Sequence, residues 1–276
     1  MAEKPLFCLG EAWLELSADT APELAETFRV HVGGWAAEFC LAYAAQGGHA
    51  ALLSQLGAEP FGRKLAAHLA ARGVDCTQLA FTASARTPVI FSGEAGEPLV
   101  YRAPSSELLY APEQLDASRF QDAFALCFSS ACLLDVPIRM THLKAIAAAR
   151  DHGAFVCYAP ELAQAAAFWP ESVSLRETAQ LFFPQADVLL LKESDLVPLF
   201  GSRELRTALF SLFRRHVQLI FYSSSDKIYL FTRNVMLSCP QNGLSPAEFL
   251  RRLNALHTWP DKLSGLREVT LRKLLL

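Results

Sequence analysis

The chain has 276 residues, 52% of them hydrophobic and 19% charged, with a formal net charge of −3. This composition, with a mean hydropathy of +0.21, excludes a disordered chain and leaves length enough to bury a sizeable core. A pI near 6.2 gives no reason to expect nucleic acid or an anionic membrane as partner. No stretch of about 18 uninterrupted apolar residues suggests a membrane span. Glu3, Glu11 and Glu15 break the first apolar residues, so no secretory leader is expected either.

Short β-rich runs alternate with helical patterns from the start. PLFCLG (residues 5–10) and ALLSQLG (51–57) read as buried strands, and WAAEFCLAYAA (35–45) and PFGRKLAAHLAAR (60–72) as helices closed by Gly48 and Gly73. TPVIFS (87–92) and PLVYR (98–102) flank EAGE (94–97), which predicts a hairpin forming a small β flap on the main sheet. Alternation then resumes: strand ALCFS (125–129), helix PIRMTHLKAIAAAR (137–150), strands AFVCY (154–158) and DVLLL (187–191), helix ELRTALFSLFRR (204–215) and strand VQLIFY (217–222). The expected fold is α/β, a doubly wound, mostly parallel sheet in a single domain over 1–276, with 87–102 as an inserted flap.

Seven cysteines, Cys8, Cys40, Cys76, Cys127, Cys132, Cys157 and Cys239, are an odd number spread singly. Reduced core thiols in a cytoplasmic protein fit that pattern better than a disulfide framework. Histidines such as His31, His49 and His142 lack ligand spacing, so no metal site is expected from them. Within SPAE (245–248), Ser245 suits a helix N-cap, Pro246 the first helical position and Glu248 the far end of a capping box. From Arg251 onward six basic residues stand against two acidic ones, and the closing LRKLLL (271–276) is expected to pack on the sheet or on a partner.

The order of these segments resembles the PfkB, or ribokinase-like, carbohydrate kinases over nearly the whole chain. LGE (9–11) followed by LEL (14–16) looks like that family's opening strand, and Gly33 with Gly34 is similar to its first signature. LGAEPFG (56–62) and RGVD (72–75) match the next helix and its exit; Arg86 with Thr87, the hairpin ending at Tyr101 and Arg102, and FWP (168–170) extend the match. The resemblance implies a sugar pocket at Glu15, Gly33, Gly34, Glu38 and Arg102, with Glu15 replacing the family's aspartate and Glu38 its asparagine. YAPELA (158–163) stands where the family has F-D-P-N-L-R, so Ala159, Glu161 and Ala163 replace aspartate, asparagine and arginine.

On the nucleotide side the resemblance implies degenerate motifs. KESD (192–195) corresponds to N-x-x-E, placing Lys192 and Asp195 there, and YSSSDK (222–227), with Ser224 and Lys227, lacks both glycines of T-x-G-x-x-G. QNGLSPAEF (241–249) falls on D-T-x-G-A-G-D-x-F when Phe249 is the anchor: Leu244, Ser245 and Pro246 take the anion turn and Ala247 the catalytic aspartate's place. A shift of one residue offers Glu248 as base instead.

Ala247 cannot accept a proton, and Pro246 has no N–H to give a phosphate. Losing a general base costs about 10²–10⁴ in rate and losing one preorganised donor about 10²–10³. Only 27 residues follow Phe249, which by the resemblance implies an incomplete adenine pocket. The leading expectation is therefore a catalytically inactive, cofactor-free pseudokinase that acts by binding a protein partner, as scaffold, regulator or ligand sensor. The alternatives are a divergent sugar or nucleoside kinase using Mg-ATP and a carboxylate such as Glu248, and a sugar-binding sensor without ATP. The resemblance also makes a homodimer through the flap plausible.

Several residues carry two readings. Gly33 and Gly34 fit a tight turn as well as sugar binding. Glu15 and Glu38 form either an acid pair across the cleft or ordinary solvated carboxylates. Tyr101 and Arg102 touch a ligand or lie on the flap surface, and Lys192 with Asp195 is spaced for a structural salt bridge.

Overall fold

The computed structural model describes residues 3–201, 209, 211–214, 216–256 and 263–276. The chain opens with β1 (Leu6–Leu9), β2 (Trp13–Ala18), β3 (Arg29–Gly33), α1 (Trp35–Ala45), β4 (Ala50–Gly57) and α2 (Pro60–Ala70). It continues through β5 (Leu79–Thr82), β6 (Val89–Gly93), β7 (Leu99–Tyr101), β8 (Ala125–Ser129), α3 (Pro137–Asp151) and β9 (Phe155–Ala159). Then follow α4 (Leu162–Ala165), α5 (Ser172–Phe182), β10 (Val188–Lys192), α6 (Glu193–Phe200) and β11 (Leu219–Ser223). The last elements are β12 (Lys227–Phe231), β13 (Met236–Pro240), α7 (Pro246–Asn254) and α8 (Glu268–Leu275). The helix expected over 204–215 lies largely outside the described residues.

Nine strands form the main sheet in the order β13-β12-β11-β10-β9-β8-β1-β4-β5. It is parallel from β5 to β11 and antiparallel at β12 and β13. Strand periodicity splits each apolar run between the two faces. In β1, Phe7 and Leu9 join the core under α3 and α5, whereas Leu6 and Cys8 join the core under α1, α2, α7 and α8. Burial on both sides explains why these strands read as continuous hydrophobic runs. This is the doubly wound, ribokinase-like arrangement expected.

The flap is larger than the hairpin. A separate four-stranded sheet, β3-β2-β6-β7, pairs the hairpin through β6 with β2, in parallel, and β2 with β3. LEL therefore belongs to a lid strand rather than to the opening core strand. Gly47, at φ +80°, takes the left-handed position after α1, in place of the expected Gly48, and Gly73 closes α2 at φ +81°. The closing leucines lie against the chain itself: Leu271, Leu274 and Leu275 are buried in the same core as α7.

Candidate active site

In an open α/β sheet, ligands sit beyond the carboxyl ends of the strands. Here the chain leaves β1 at Gly10 and rises directly into the lid, so Glu11 lies at the lid's root. Its side chain is buried at 1% exposure and accepts hydrogen bonds from the Trp35 amide (3.0 Å), the Ser129 hydroxyl (3.3 Å) and the Cys132 thiol (3.3 Å). A carboxylate on the first amide of α1 matches the helix's positive end. Gly34 makes the approach possible: its φ is +102°, and a Cβ there would stand 2.6 Å from the Glu11 carbonyl oxygen. At Gly33 a Cβ would collide with the Trp13 indole nitrogen and lie 2.8 Å from Glu15 Oε2. Both glycines thus serve close packing at the turn into α1, in keeping with the tight-turn reading, and they hold the lid root against α1.

Glu15, on β2, accepts a hydrogen bond from the Ser92 hydroxyl of β6 at 2.8 Å, which locks two lid strands together. Glu38 stands one turn into α1. Partial burial first, then the charges of Glu15 and Glu11, holds its carboxyl above the usual carboxylate range, with Lys192 pulling the other way. Glu15, Glu11, Glu161 and Lys192 all act on the Glu38 charge.

Lys192 and Asp195 do not form the expected side-chain pair. Asp195 turns back on the amide of Lys192 (3.0 Å) and also receives the amide of Leu162 (2.9 Å), pinning the starts of α6 and α4 to each other. Burial raises its carboxyl to about 6. The Lys192 ammonium instead reaches Glu161 at 2.7 Å. Beyond this pair opens a cavity of about 640 Å³, lined by Lys192, Glu193, Tyr222, Ser224 and Ser225 among others. Ser224 is partly committed to its own turn, donating to Asp226 (2.8 Å) and accepting from the Lys227 amide (3.1 Å). Lys227 is not among the lining residues.

Arg102 is not a flap-surface or ligand-facing residue. At 4% exposure it donates to Glu107 (2.7 Å), the Ala131 carbonyl (3.0 Å) and Cys132 (3.1 Å), and lies 4.7 Å from the centre of the Phe168 ring. Its neighbour Tyr101 is exposed.

The turn before α7 follows the sequence reading in part. Ser245 caps the Glu248 amide at 3.1 Å, Pro246 opens the helix, and Leu244 and Ala247 are buried in the core. The capping box does not close, because the Glu248 carboxylate takes Arg252 at 2.7 Å, one turn on. Glu248 is thus engaged along its own helix rather than at the helix start.

Sequence reasoning passed over Glu11 as a site residue and missed the pairing of Glu161 with Lys192. A carboxylate immediately after an apolar strand, beside a diglycine helix start, is the signal that could have found Glu11. Among the described residues no group of three or more His, Cys, Asp or Glu side chains is arranged to hold a metal ion, and no described helix is long and apolar enough to cross a membrane.

Comparison with known proteins bears on this site. Residues 4–241 match the pfkB family carbohydrate kinases. The chain belongs to that family. Fructokinase-1 of Oryza sativa subsp. japonica is 35% identical over 174 residues, covering 61% of this chain and 53% of that protein. Probable fructokinase-4 of Arabidopsis thaliana is 30% identical over 201 residues, covering 71% and 61%. The chain thus spans about half the length of the rice relative, at 53%. Among solved structures, fructokinase with bound ATP from Xylella fastidiosa superposes with a TM-score of 0.83 at 22% identity, over 99% of this chain and 90% of that one. Aminoimidazole riboside kinase from Salmonella enterica gives 0.80 at 19%, over 98% and 91%. These likenesses establish the ribokinase-like fold.

The expectation of an inactive, cofactor-free pseudokinase is corrected by these findings. The family match ends at residue 241, before Pro246 and Ala247; relatives at 30 and 35% identity are named fructokinases, and a neighbour of the same fold carries ATP. The inference ran from the motifs KESD and YSSSDK and the turn before α7 to the whole protein, whereas Lys192, within the first of these, still lines the cavity.

Proposed function

We propose that this pfkB family member is a carbohydrate kinase that transfers the terminal phosphoryl group of ATP to a sugar hydroxyl. The observation that carries the reading is the junction beneath the lid. The charges of Glu15 and Glu11 act there on Glu38, with Lys192 pulling the other way, and Lys192 also lines the 640 Å³ cavity. Carboxylates suit sugar hydroxyls as hydrogen-bond acceptors, and a cavity with a cation, hydroxyls and backbone amides suits a polyphosphate. The names of the curated relatives make fructose the first acceptor to test.

Magnesium needs only one or two carboxylates when nucleotide phosphates and water complete its shell. Asp195 has both oxygens in backbone bonds, so Glu193, in the cavity wall, is the residue that would hold the ion, which neutralises charge on the transferring phosphate. Glu38 is the proposed proton acceptor: a carboxyl held above its usual range is a stronger base than a solvated one. Without donors from the α7 turn, slow turnover is expected.

The test is ADP formation with fructose, then with other hexoses and ribosides. Sugar-dependent turnover that loses its dependence on the acidic limb of the pH profile in Glu38→Gln is the expected result. A folded protein that releases no ADP with any sugar overturns the reading. The free cysteines, five of the seven buried, suit the reducing cytoplasm proposed for it. A homodimer through the lid remains a proposal too, supported by an apolar groove that includes Leu14, Leu16, Val30 and Phe91; sedimentation reads it directly.

A further inference from the structure

The Glu161–Lys192 pair joins two unequal partners. Glu161 is fixed: its side chain is 10% exposed, and its backbone sits at φ +48°, ψ 44°, the one non-glycine positive φ among the described residues. That conformation is strained for a glutamate. It is held because Asp195 grips the next amide, Leu162, and because the Glu161 carbonyl receives the Ala165 amide at 2.8 Å. Lys192 is free by comparison: its side chain is 46% exposed on a flexible stem, and it already lines the cavity. The other charged wall residue, Glu193, accepts from the amide and hydroxyl of Ser225 at 3.3 and 3.4 Å, which offsets part of its charge toward an anion.

We propose that Lys192 is the phosphate-binding cation of this cavity and that Glu161 is its exchangeable counter-ion, surrendered when a nucleoside triphosphate enters. This inference rests on the nucleotide half of the reading above and assigns it a residue. The exchange is driven by charge: Lys192 is half-exposed and Glu161 only 10% exposed, so release strands a largely buried carboxylate, and the greater charge and larger number of acceptor oxygens of a polyphosphate offset that cost at the same ammonium. After the exchange the Glu161 carboxylate stays in place without its partner, adding negative charge beside Glu38. Nucleotide and sugar sites are then coupled through one lysine, and the coupling acts in both directions.

Calorimetry with the full chain tests it, using inorganic tripolyphosphate and ATP as probes, each with and without magnesium. Lys192→Met is expected to weaken both probes by about tenfold or more, and Lys192→Arg to keep most of the affinity. Glu161→Gln, which removes the competitor, is expected to tighten both by about fivefold or more. Opposite signs from the two variants are what a merely structural ion pair would not give, since either truncation would then act alike, and melting temperatures confirm that each variant folds. ATP binding indifferent to Lys192→Met, or weakened equally by both variants, overturns the inference and leaves the kinase reading standing. Tripolyphosphate held through Lys192 with no sugar phosphorylation keeps the inference and sinks the kinase reading. If neither probe binds the wild-type chain, both fall.

Discussion

Replacing Arg102 by methionine removes the cation of a pair in which Arg102 is 4% and Glu107 0% exposed. Glu107 Oε1 would keep only the Ser105 hydroxyl at 2.8 Å, and its Oε2 already has no partner. Breaking a buried pair from one side costs about 3–5 kcal/mol, because the remaining charge is stranded. Loss of the guanidinium over Phe168, 4.7 Å from the ring centre, adds about 0.5–2 kcal/mol. For a chain of this size that is a fall in melting temperature on the order of 10 °C. The pair Arg102→Met with Glu107→Leu should recover most of it, since replacing both partners of a buried pair by apolar groups is often close to neutral.

The assay is denaturant unfolding of the four corners of that cycle. Burial already pushes the Glu107 carboxyl above its usual range, and Arg102 opposes the push. Without Arg102 the glutamate takes up a proton more readily, so the cost of Arg102→Met should shrink between about pH 7.5 and pH 5. A coupling energy under about 0.5 kcal/mol would refute the reasoning. So would a loss of sugar affinity at unchanged stability, which is the signature of a residue that faces ligand.

Three further outcomes are expected. Asp195 is held at about 6 by burial, above its unfolded value, so the stability it contributes is present at low pH and lost as pH rises. Wild type minus Asp195→Asn, followed by urea unfolding, should therefore gain up to about 3 kcal/mol as pH falls from 7 to 4. His142 has the opposite sign: full burial lowers it to about 4, so stability is lost between about pH 6.5 and pH 4, by about 3 kcal/mol in all, and His142→Phe should flatten that loss. Ser245→Ala, removing the cap on the Glu248 amide at 3.1 Å, should cost about 1 kcal/mol in unfolding experiments and leave ATP affinity unchanged.

Local pattern carried most of the fold. WAAEFCLAYAA forms α1 over the same 11 residues, because an apolar run of that length, with a glycine on either side, has one way to be buried. The lid was harder, since β2 pairs with β6 at Leu14 and Val89 and no local periodicity encodes a partner that distant. Arg102 looked like the end of an exposed hairpin strand because Tyr101 beside it is exposed; only the turn to Glu107 takes it inside. Lys192 and Asp195 have the spacing of a helical ion pair, but Lys192 is the N-cap residue of α6, so the aspartate meets its amide and leaves the ammonium free.

Where that ammonium goes follows from sheet register. The parallel pairing of β9 with β10 sets Tyr158 opposite Leu189; three residues onward, Lys192 ends β10 and Glu161 lies two residues past the end of β9, where their side chains meet. The pair is thus a product of two strand ends, as Glu11 is a product of β1 and the start of α1. Neither depends on the turn before α7, where Leu244 and Ala247 are given to the core and Ser245 and Glu248 to the helix itself. A change at that turn leaves Glu11, Glu161 and Lys192, which belong to other elements, in place. The test of catalysis therefore moves from Ala247 to the end of β10 and the first turn of α1, where Lys192→Met and Glu38→Gln separate the proposed phosphate binding from the proposed proton transfer.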